Sequence, residues 1–272
     1  MDLLTTARRL EASQAEVVRT LADEAEPVAG GWMAANGTGS YLNKAVGLGF
    51  EGEPCDEDVG RMERFFASRG IEPRVELTPF APIGFLRRLA ERGFVLQEFE
   101  NTLALPLSGF RDPRRLLPGG WPEGVRIERI DPSDDAAVDT FVRTSASGFI
   151  PEGEPIPEDF LRTGARAARA PEHDSFLARV GDELAGAGGC GTRGGVTSLF
   201  GTSVIPRFRR RGIQQALMAV RLERALALGS DLADITSHPG IPTERNAARL
   251  GFHLAYVRAV LVKRGPGLVP SP

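Results

Sequence analysis

The segment with the clearest chemical potential lies at residues 204–214, which read VIPRFRRRGIQ. Pro206 cannot donate to a strand ladder, so we expect a strand to end there and a helix to begin near residue 211. The first N–H groups of a helix have no acceptor within it, and its dipole attracts negative charge. Gly212 lets the backbone approach an anion closely, and the arginines add donors for phosphate oxygens. The segment predicts a diphosphate cradle. The alternative is a solvated arginine run on a loop.

The apolar periodicity around this segment predicts the elements that position it. Extended runs are expected at residues 125–130, 196–205, 232–237 and 252–262, and helices at 131–147, 158–170, 211–228 and 242–250. Asp131 or Ser133 is expected to cap the first of these helices. A Gly-Asp pair at 181–182, between two extended runs, predicts a hairpin over residues 176–192.

The N-terminal half has the same kind of alternation. Helices are expected at residues 3–25, at 56–68 and from Pro82 to Gly93, with extended runs at 41–50, 75–78 and 94–105. For the helix that begins at Pro82, the spacing predicts an inner face of Ile83, Leu86, Leu89 and Ala90.

Two segments of similar length share one order of elements, which suggests an internal repeat. Residues 70–93 and 229–251 both run from a helix-ending glycine through a strand and a short helix to a Gly-Phe exit. Coincidence between two ordinary βαβ units is the alternative. Residues 106–124 are rich in proline and glycine and form the best linker candidate. We therefore expect domains at residues 1–105 and 125–272.

Composition limits the classes of protein to consider. Hydrophobic residues are 42% and charged residues 25% of 272, which is typical of a folded globular protein. No apolar run reaches the ~18 residues of a membrane helix, and no signal peptide pattern opens the chain. Cys55 and Cys190 form neither a disulfide framework nor a zinc site, so a reducing cytoplasm is expected, with no bound metal. A pI near 5.8 argues against general nucleic-acid binding. The sequence does not specify the oligomeric state.

Residues 204–218, VIPRFRRRGIQQALM, resemble the acetyl-CoA loop of the GNAT superfamily of acyltransferases. The hairpin, the strand before the loop and the ending ERNAARLGF at residues 244–252 follow in the family's order, so the resemblance covers about residues 125–264. It implies an α/β (α+β) chain of two GNAT-like domains, each a mixed central sheet flanked by helices, of which the second binds acetyl-CoA.

The resemblance also implies roles for individual residues. Val204 and Ile205 would offer backbone groups to the pantetheine arm, and Gly201 would lie in a strand bulge that admits the thioester, although it could be a packing glycine. Asn246 would lie near the cofactor arm, or it is only a polar residue at a helix end. The pyrophosphate would be held by Arg209, Arg210, Arg211, Gly212, Ile213 and Gln214.

The catalytic residues are less clearly indicated. Many family members carry a tyrosine as general acid four residues before the final Gly-Phe, where this chain has Ala247. Tyr256 is a substitute general acid, with a part-buried strand tyrosine as the alternative. His238 is the candidate base for the incoming amine, with a plain loop histidine as the alternative. Cys190 is expected to be a small strand residue and not a nucleophile.

The N-terminal copy has EGEPCDED at residues 51–58, in the place of the arginine loop. Five carboxylates there would repel a pyrophosphate, so this half resembles the degenerate half of tandem GNAT proteins. It is expected to wall the acceptor site, with Trp32, Tyr41 and Asn43 as candidates for lining it unless they simply pack in the core.

The predicted function is acetyl transfer from acetyl-CoA to a primary amine of a small molecule. The alternatives are an acyl-CoA sensor or accessory protein without turnover, and transfer of another acyl group or to an oxygen or sulfur acceptor.

Overall fold

The computed structural model describes residues 2–151 and 153–270, and its contacts divide the chain into two compact units. Of the described residues, 2–101 and 255–270 form the first unit, and 102–151 and 153–254 form the second. Within the described residues, no helix combines the length and apolar character that a membrane span requires.

The first half of the chain alternates helices and short strands. Its elements are α1 (Leu3–Leu21), β1 (Glu24–Val28), β2 (Gly31–Ala35), β3 (Lys44–Val46), α2 (Asp56–Ala67), β4 (Arg74–Leu77), α3 (Ile83–Glu91) and β5 (Val95–Pro106). The second half begins with two helices after its first strand. Its elements are β6 (Val125–Arg129), α4 (Asp135–Ala146), α5 (Glu158–Arg169), β7 (His173–Val180), β8 (Glu183–Arg193), β9 (Val196–Val204), α6 (Ile213–Ala227), β10 (Leu232–Ser237), α7 (Pro242–Arg249) and β11 (His253–Val262).

Each unit contains a mixed sheet, as predicted. In the first unit the strand order is β1-β2-β3-β4-β11-β5, with β3 and β4 parallel and the pairs β1–β2, β2–β3 and β4–β11 antiparallel. In the second unit the order is β10-β9-β8-β7-β6, with β9 and β10 parallel and the other neighbours antiparallel. The series β1-β2-β3-β4 and β7-β8-β9-β10 therefore have the same pattern of pairing, which supports the internal repeat.

The helix ends of the two copies are built alike. After α2, α3, α6 and α7 stand Gly70, Gly93, Gly229 and Gly251, each at positive φ. In each case the residue after the glycine donates back to a carbonyl five residues earlier, as in Ile71 N to Phe66 O at 3.1 Å and Phe252 N to Ala247 O at 3.1 Å. This is the Schellman end, which favours glycine because φ is positive there. Phe94 and Phe252, which follow the second glycine of each copy, are both buried.

Three local expectations are wrong. The first helix ends at Leu21, and a hairpin of β1 and β2 follows it, turning at Ala29 and Gly30 with both φ values positive. In α3 the buried residues are Phe85 and Leu89, whereas Ile83, Leu86 and Ala90 are exposed. Helix α4 is capped by Asp134, whose side chain accepts from Ala136 N and Ala137 N, while Asp131 and Ser133 form a turn of their own before it.

The boundaries of the two compact units differ from those of the predicted domains at residues 106–124 and at the C-terminal strand. Leu107 and Leu117 pack in the main core of the second unit, together with Trp121, so the proline-rich segment belongs to that unit's fold. Strand β11 pairs with β4, from Ala259 opposite Leu77 to Val262 opposite Arg74, so residues 255–270 pack in the first unit. The chain therefore returns at its end to the unit where it began.

Candidate functional site

The junction between β9 and α6 has the backbone shape that the arginine loop requires. Pro206–Phe208 form a single turn of 3-10 helix after β9, and Phe208 is buried in the core of the second unit. Arg210 has φ +65°, and Gly212, the cap residue of α6, has φ +78°. A non-glycine residue in the left-handed region is strained, and such strain concentrates where a loop is shaped for function.

This junction presents free donors. Among the hydrogen bonds of residues 2–151 and 153–270, none uses the backbone N–H groups of residues 210–215, and the ladder of α6 starts with Ala216 N donating to Gly212 O at 3.0 Å. Several N–H groups at one helix N-terminus bind anions because the helix dipole adds partial positive charge there. The sequence-predicted residues Arg210, Arg211, Gly212, Ile213 and Gln214 are thus brought together at one helix end.

The arginine side chains of the loop are exposed and differ in their contacts. Arg209 Nε donates to the carbonyl oxygen of Val204 at 3.1 Å, and the Arg211 guanidinium lies over the Phe208 ring. Arg207 is bound by Glu183 at 2.8 Å. Arg209, Arg210 and Arg211 carry no carboxylate partner among the described residues, so the loop has three exposed cationic side chains that are free of a counter-ion.

Gln214 and Asn246 are joined in a polar network between α6 and α7. Asn246 Nδ2 donates to Gln214 Oε1 at 2.6 Å, and Gln214 Nε2 donates to Thr243 Oγ1 at 3.1 Å. Gln215 Nε2 lies 3.5 Å from Asn246 Oδ1. Sequence reasoning missed Thr243 and Gln215, since nothing in the local pattern shows that the two helix ends meet. The network positions the first turn of α6.

Val204 and Ile205 lie at the end of β9 with most of their backbone groups in use. Ile205 N donates to Ala185 O at 2.9 Å, and the Ile205 carbonyl accepts from Phe208 N at 2.9 Å. The Val204 carbonyl accepts from Arg209. These bonds tie the loop to the sheet at the place where the chain leaves β9.

A bulge and an opening occur beside the loop. On β9, Phe200 pairs with Gly189 and Ser203 with Ala187, so Gly201 and Thr202 together stand opposite Gly188. Gly201 has φ +58°, as a bulge residue in the left-handed region does. Within the described residues, the parallel ladder joins residues 196–198 of β9 only with residues 232–234 of β10. Beyond these residues, the described parts of β9 and β10 do not pair with each other.

The two candidate catalytic residues lie in different units. His238 is exposed and follows β10, so it stands at the same carboxyl edge of the parallel pair as the arginine loop. Tyr256 is buried in the first unit, where its hydroxyl donates to Glu11 Oε1 at 2.7 Å. Ala247, at the position where the family often has tyrosine, is buried in the second unit's core.

Cys190 is a buried residue of β8, and burial raises the pKa of its thiol to about 12. A thiol with such a pKa is almost wholly protonated at neutral pH, and the thiolate is the nucleophilic form. This supports the expectation that Cys190 is a small strand residue. No group of three or more histidine, cysteine or acidic side chains is placed to hold a metal ion in the described part of the chain.

Residues 139–252 match the acetyltransferase (GNAT) family. No curated protein matches the sequence. Among solved structures, a GCN5-related N-acetyltransferase from Kribbella flavida superposes with a TM-score of 0.67 at 19% identity, covering 96% of this chain and 97% of the other. A tandem GNAT protein from the clavulanic acid biosynthesis pathway gives 0.62 at 15% identity, covering 97% and 95%. A functionally unknown conserved protein from Staphylococcus epidermidis gives 0.58 at 9% identity, covering 88% and 92%.

At these low identities, the three solved structures show only that the fold is shared with this chain. The family match over residues 139–252 is a separate match of sequence. The matched residues run from α4 to the Gly-Phe exit after α7 and include the arginine loop. Residues 139–252, which lie in the second unit, therefore match the GNAT family of acetyltransferases in sequence, and the chain shares its fold with a GCN5-related N-acetyltransferase and with a tandem GNAT protein.

Proposed function

We propose that the second unit transfers the acetyl group of acetyl-CoA to a primary amine of a small molecule, with both substrates bound together. The observation that carries this proposal is the row of unpaired N–H groups at residues 210–215, under three exposed arginines. A pyrophosphate needs such a set of donors and positive charge, and the GNAT family match over residues 139–252 supports acetyl transfer as the reaction class.

The remaining parts of the site fit the rest of the donor. Beyond Ser198 and Asp234, β9 and β10 do not pair with each other, which leaves room between the strands for a pantetheine arm, and the bulge at Gly201 lies in this part of β9. Asn246 stands next to the first turn of α6 through its bond to Gln214. Acetyl-CoA, when bound, supplies the activated thioester. The exposed and buried cysteines, both free, fit a protein of the reducing cytoplasm.

The reaction has two proton transfers that the protein must serve. As the C–N bond to the amine forms and the C–S bond breaks, the amine loses a proton and the departing thiolate gains one. His238 is proposed as the group that takes the amine's proton, and Tyr256 as the group that protonates the thiolate. Direct transfer is supported by Cys190, since a protonated buried thiol is a poor acyl carrier.

The hydroxyl of Tyr256 favours a second candidate function. It already donates to Glu11, and the family's usual tyrosine position holds Ala247. Both facts suit a protein that binds acyl-CoA as a sensor or accessory domain without turnover. Incubating the full chain with acetyl-CoA and a panel of amines, alcohols and thiols, and following thiol release, separates the two. Release with an amine supports the enzyme, whereas tight binding without release across the panel supports the sensor. Replacing acetyl-CoA by longer acyl-CoA esters tests the alternative acyl groups.

The first prediction concerns the proton transfers. At saturating acetyl-CoA, His238→Ala or Tyr256→Phe is expected to lower kcat by ~100-fold if the residue acts as base or acid, because general acid–base catalysis contributes about that much. His253→Ala is the matched control for His238, since His253 is also exposed and lies in the same unit. Near-normal kcat in both variants would exclude both residues and leave water to carry the protons.

The two copies of the repeat differ in charge at the start of the helix that follows the third strand. This helix is α2, after β3, in the first copy and α6, after β9, in the second. At the N-terminus of α2, Asp58 Oδ2 accepts from Cys55 N at 2.9 Å, so a carboxylate already caps the helix. Glu53 is bound to Arg88, and Asp56 and Glu57 stand in the first turn. Between β3 and β4, Lys44 Nζ and Glu76 Oε1 form an ion pair of 2.9 Å. We propose that this half has lost CoA binding.

A second prediction follows for stoichiometry. Calorimetric titration of the full chain with CoA is expected to give one site per chain, because negative charge at residues 51–58 opposes a polyanion. Replacing Glu53 by glutamine and Asp56 by asparagine is expected to leave that number unchanged, since residues 51–58 contain no arginine or lysine. Two sites in the unaltered chain would contradict the proposed loss.

A further inference from the structure

Helix α6 carries one charged side chain that the proposed function does not use. Arg221 is 0% exposed and lies among the core residues Leu217, Met218 and Leu222. Burial lowers the pKa of its guanidinium to about 10, so it stays charged at neutral pH. In the described part of the chain, Arg221 forms no ion pair with a carboxylate, and its Nη2 atom has no hydrogen-bond partner. A buried charge without a counter-ion is costly, so its contacts must offset that cost.

Those contacts are at the bulge. Arg221 Nη1 donates to Gly189 O at 2.9 Å and to Phe200 O at 3.2 Å. Gly189 and Phe200 are the cross-strand pair at which the register of β8 and β9 shifts. The guanidinium also fills the space over Gly188, where an added Cβ would lie 3.1 Å from the Arg221 Cζ atom. Arg221 therefore supplies donors to carbonyls at the point where the ladder is disrupted.

A second side chain reaches the bulge from the other face of the sheet. Ser145, in α4, donates through Oγ to Gly201 O at 2.8 Å. The two helices pack on opposite faces, because Leu177 of β7 packs with α4 while its neighbours Phe176 and Ala178 pack with α6. The successive carbonyls of Phe200 and Gly201 are thus bonded to opposite faces.

We infer that Arg221 and Ser145 form a two-sided clamp that holds the β9 bulge and so sets the width of the opening between β9 and β10, where the acyl group of the thioester would enter. The inference rests on the proposed function. Both are positioning residues, since they act through the strand and do not touch the opening's ligand themselves. The opening begins after the Ser198–Asp234 pair, two residues before the clamped carbonyls.

The test compares ligands that differ only in the acyl group. CoA, acetyl-CoA, propionyl-CoA and butyryl-CoA are titrated by calorimetry into the full chain and into Ser145→Ala, Arg221→Met and Arg221→Lys. Loss of the clamp is expected to change the acetyl-to-butyryl affinity ratio by about tenfold, which is the size of discrimination that one or two methylenes carry in a pocket. The affinity for CoA itself stays within about twofold, because the diphosphate is held elsewhere. Arg221→Lys keeps the charge and is expected to restore part of the ratio.

Matched controls remove a similar group from the same helix away from the bulge. Thr140→Ala deletes an α4 hydroxyl that bonds only Ala136 O, and Arg224→Met removes an α6 arginine that bonds Asp174. A residue that merely stabilised the fold would lower the melting temperature and leave the affinity ratio unchanged. The clamp is overturned if Ser145→Ala, which keeps Arg221 and the core intact, leaves the ratio at the parent value, or if the controls shift it equally. A parent chain that binds no CoA overturns the proposed function and the clamp together, and this is seen before any variant is made.

Discussion

Replacing Arg209 and Arg211 together by glutamate is expected to weaken CoA binding by 100-fold or more. A hydrogen bond to a charged group contributes ~1.5–3 kcal/mol, so two lost bonds give about 3–6 kcal/mol before the repulsion of two new carboxylates is added. Each ~1.4 kcal/mol is a factor of ten in affinity. The fold is expected to change little, because both side chains are exposed. Calorimetry with CoA measures the loss, and thermal unfolding checks the fold.

The matched control reverses two other exposed arginines of the second unit, Arg115→Glu with Arg126→Glu. These side chains are 86% and 69% exposed and lie outside the loop, so the net charge changes equally without touching the junction. The control is expected to retain most of the CoA affinity, since neither residue belongs to residues 209–214 and charges on highly exposed side chains are weakened by water and by salt. Equal CoA affinity in the parent chain and in the loop variant would refute the diphosphate cradle.

Replacing Arg258 by methionine is expected to destabilise the first unit by about 3–5 kcal/mol, as removal of one partner from a buried ion pair does. Arg258 Nε bonds Glu11 Oε1 at 2.7 Å, and both side chains are 1% exposed. In the described part of the chain, Glu11 Oε1 accepts from Arg258 Nε and from the Tyr256 hydroxyl. Without Arg258, only the bond from the Tyr256 hydroxyl is left at Oε1. Tyr256, the proposed general acid, bonds the same Glu11 oxygen as Arg258. The kcat of the Arg258→Met variant therefore also tests whether the role of Tyr256 depends on the Glu11–Arg258 ion pair.

Tryptophan fluorescence can assign the loss to a unit, because Trp32 lies in the first unit and Trp121 in the second. Urea unfolding of Trp121→Phe, with and without Arg258→Met, reports the free energy of unfolding of the first unit. Arg8→Met is the control, since Arg8 is an exposed arginine of the same unit that bonds the Phe50 carbonyl. A change below about 1 kcal/mol in Arg258→Met, the usual limit for an exposed ion pair, would show that the cluster contributes little.

Arg258 belongs to a cluster of buried and half-buried ion pairs, and this cluster makes the stability of the first unit depend on acid pH. Its members are Glu11, Lys44, Arg74, Glu76, Glu100 and Arg258. Burial raises the pKa of Glu76, but attraction to Lys44, Arg258 and Arg74 outweighs it and lowers the pKa to about 2. A carboxylate with a depressed pKa stabilises the fold above its ordinary pKa of 4.5, and this contribution is lost as the pH falls towards 2. Burial and the neighbouring Glu76 raise the pKa of Glu100, so that group acts in the opposite direction as the pH rises.

The arginine loop could be predicted from the sequence because its backbone geometry depends on residues that are neighbours in the chain. Pro206, the arginines and Gly212 determine a strand end, a turn and a helix start within a dozen residues, and all three are present. The hairpin at residues 181–182 and the glycine ends of four helices are likewise local, since the backbone conformation of each needs only a few residues. The pairing pattern of the repeat is the same in both copies because these local units recur in the same order.

Contacts between distant residues had to come from the tertiary structure. The inner face of α3 was misassigned because Phe85 and Leu89 form one stripe and Ile83 and Leu86 another, and only the packed sheet decides which stripe is covered. The hairpin of β1 and β2 was not predicted, and the first helix was extended to residue 25, because the alternation of β1 is short and contains Pro27. Asn246 meets Gln214 across 32 positions, a distance that no periodicity reports.

By itself, the sequence indicated the resemblance to GNAT acetyltransferases that residues 139–252 carry, the two-copy organisation and the helix end that suits a diphosphate, because these rest on short-range backbone rules and on a motif of consecutive residues. Only the tertiary structure decided that Tyr256 lies against Glu11 in the first unit and that β11 pairs with β4. It alone placed Arg221 under the bulge of β9. An arginine within a helix is expected to be exposed, and its burial depends on carbonyls that two other strands present to it, which are brought there by packing and not by their neighbours in the chain.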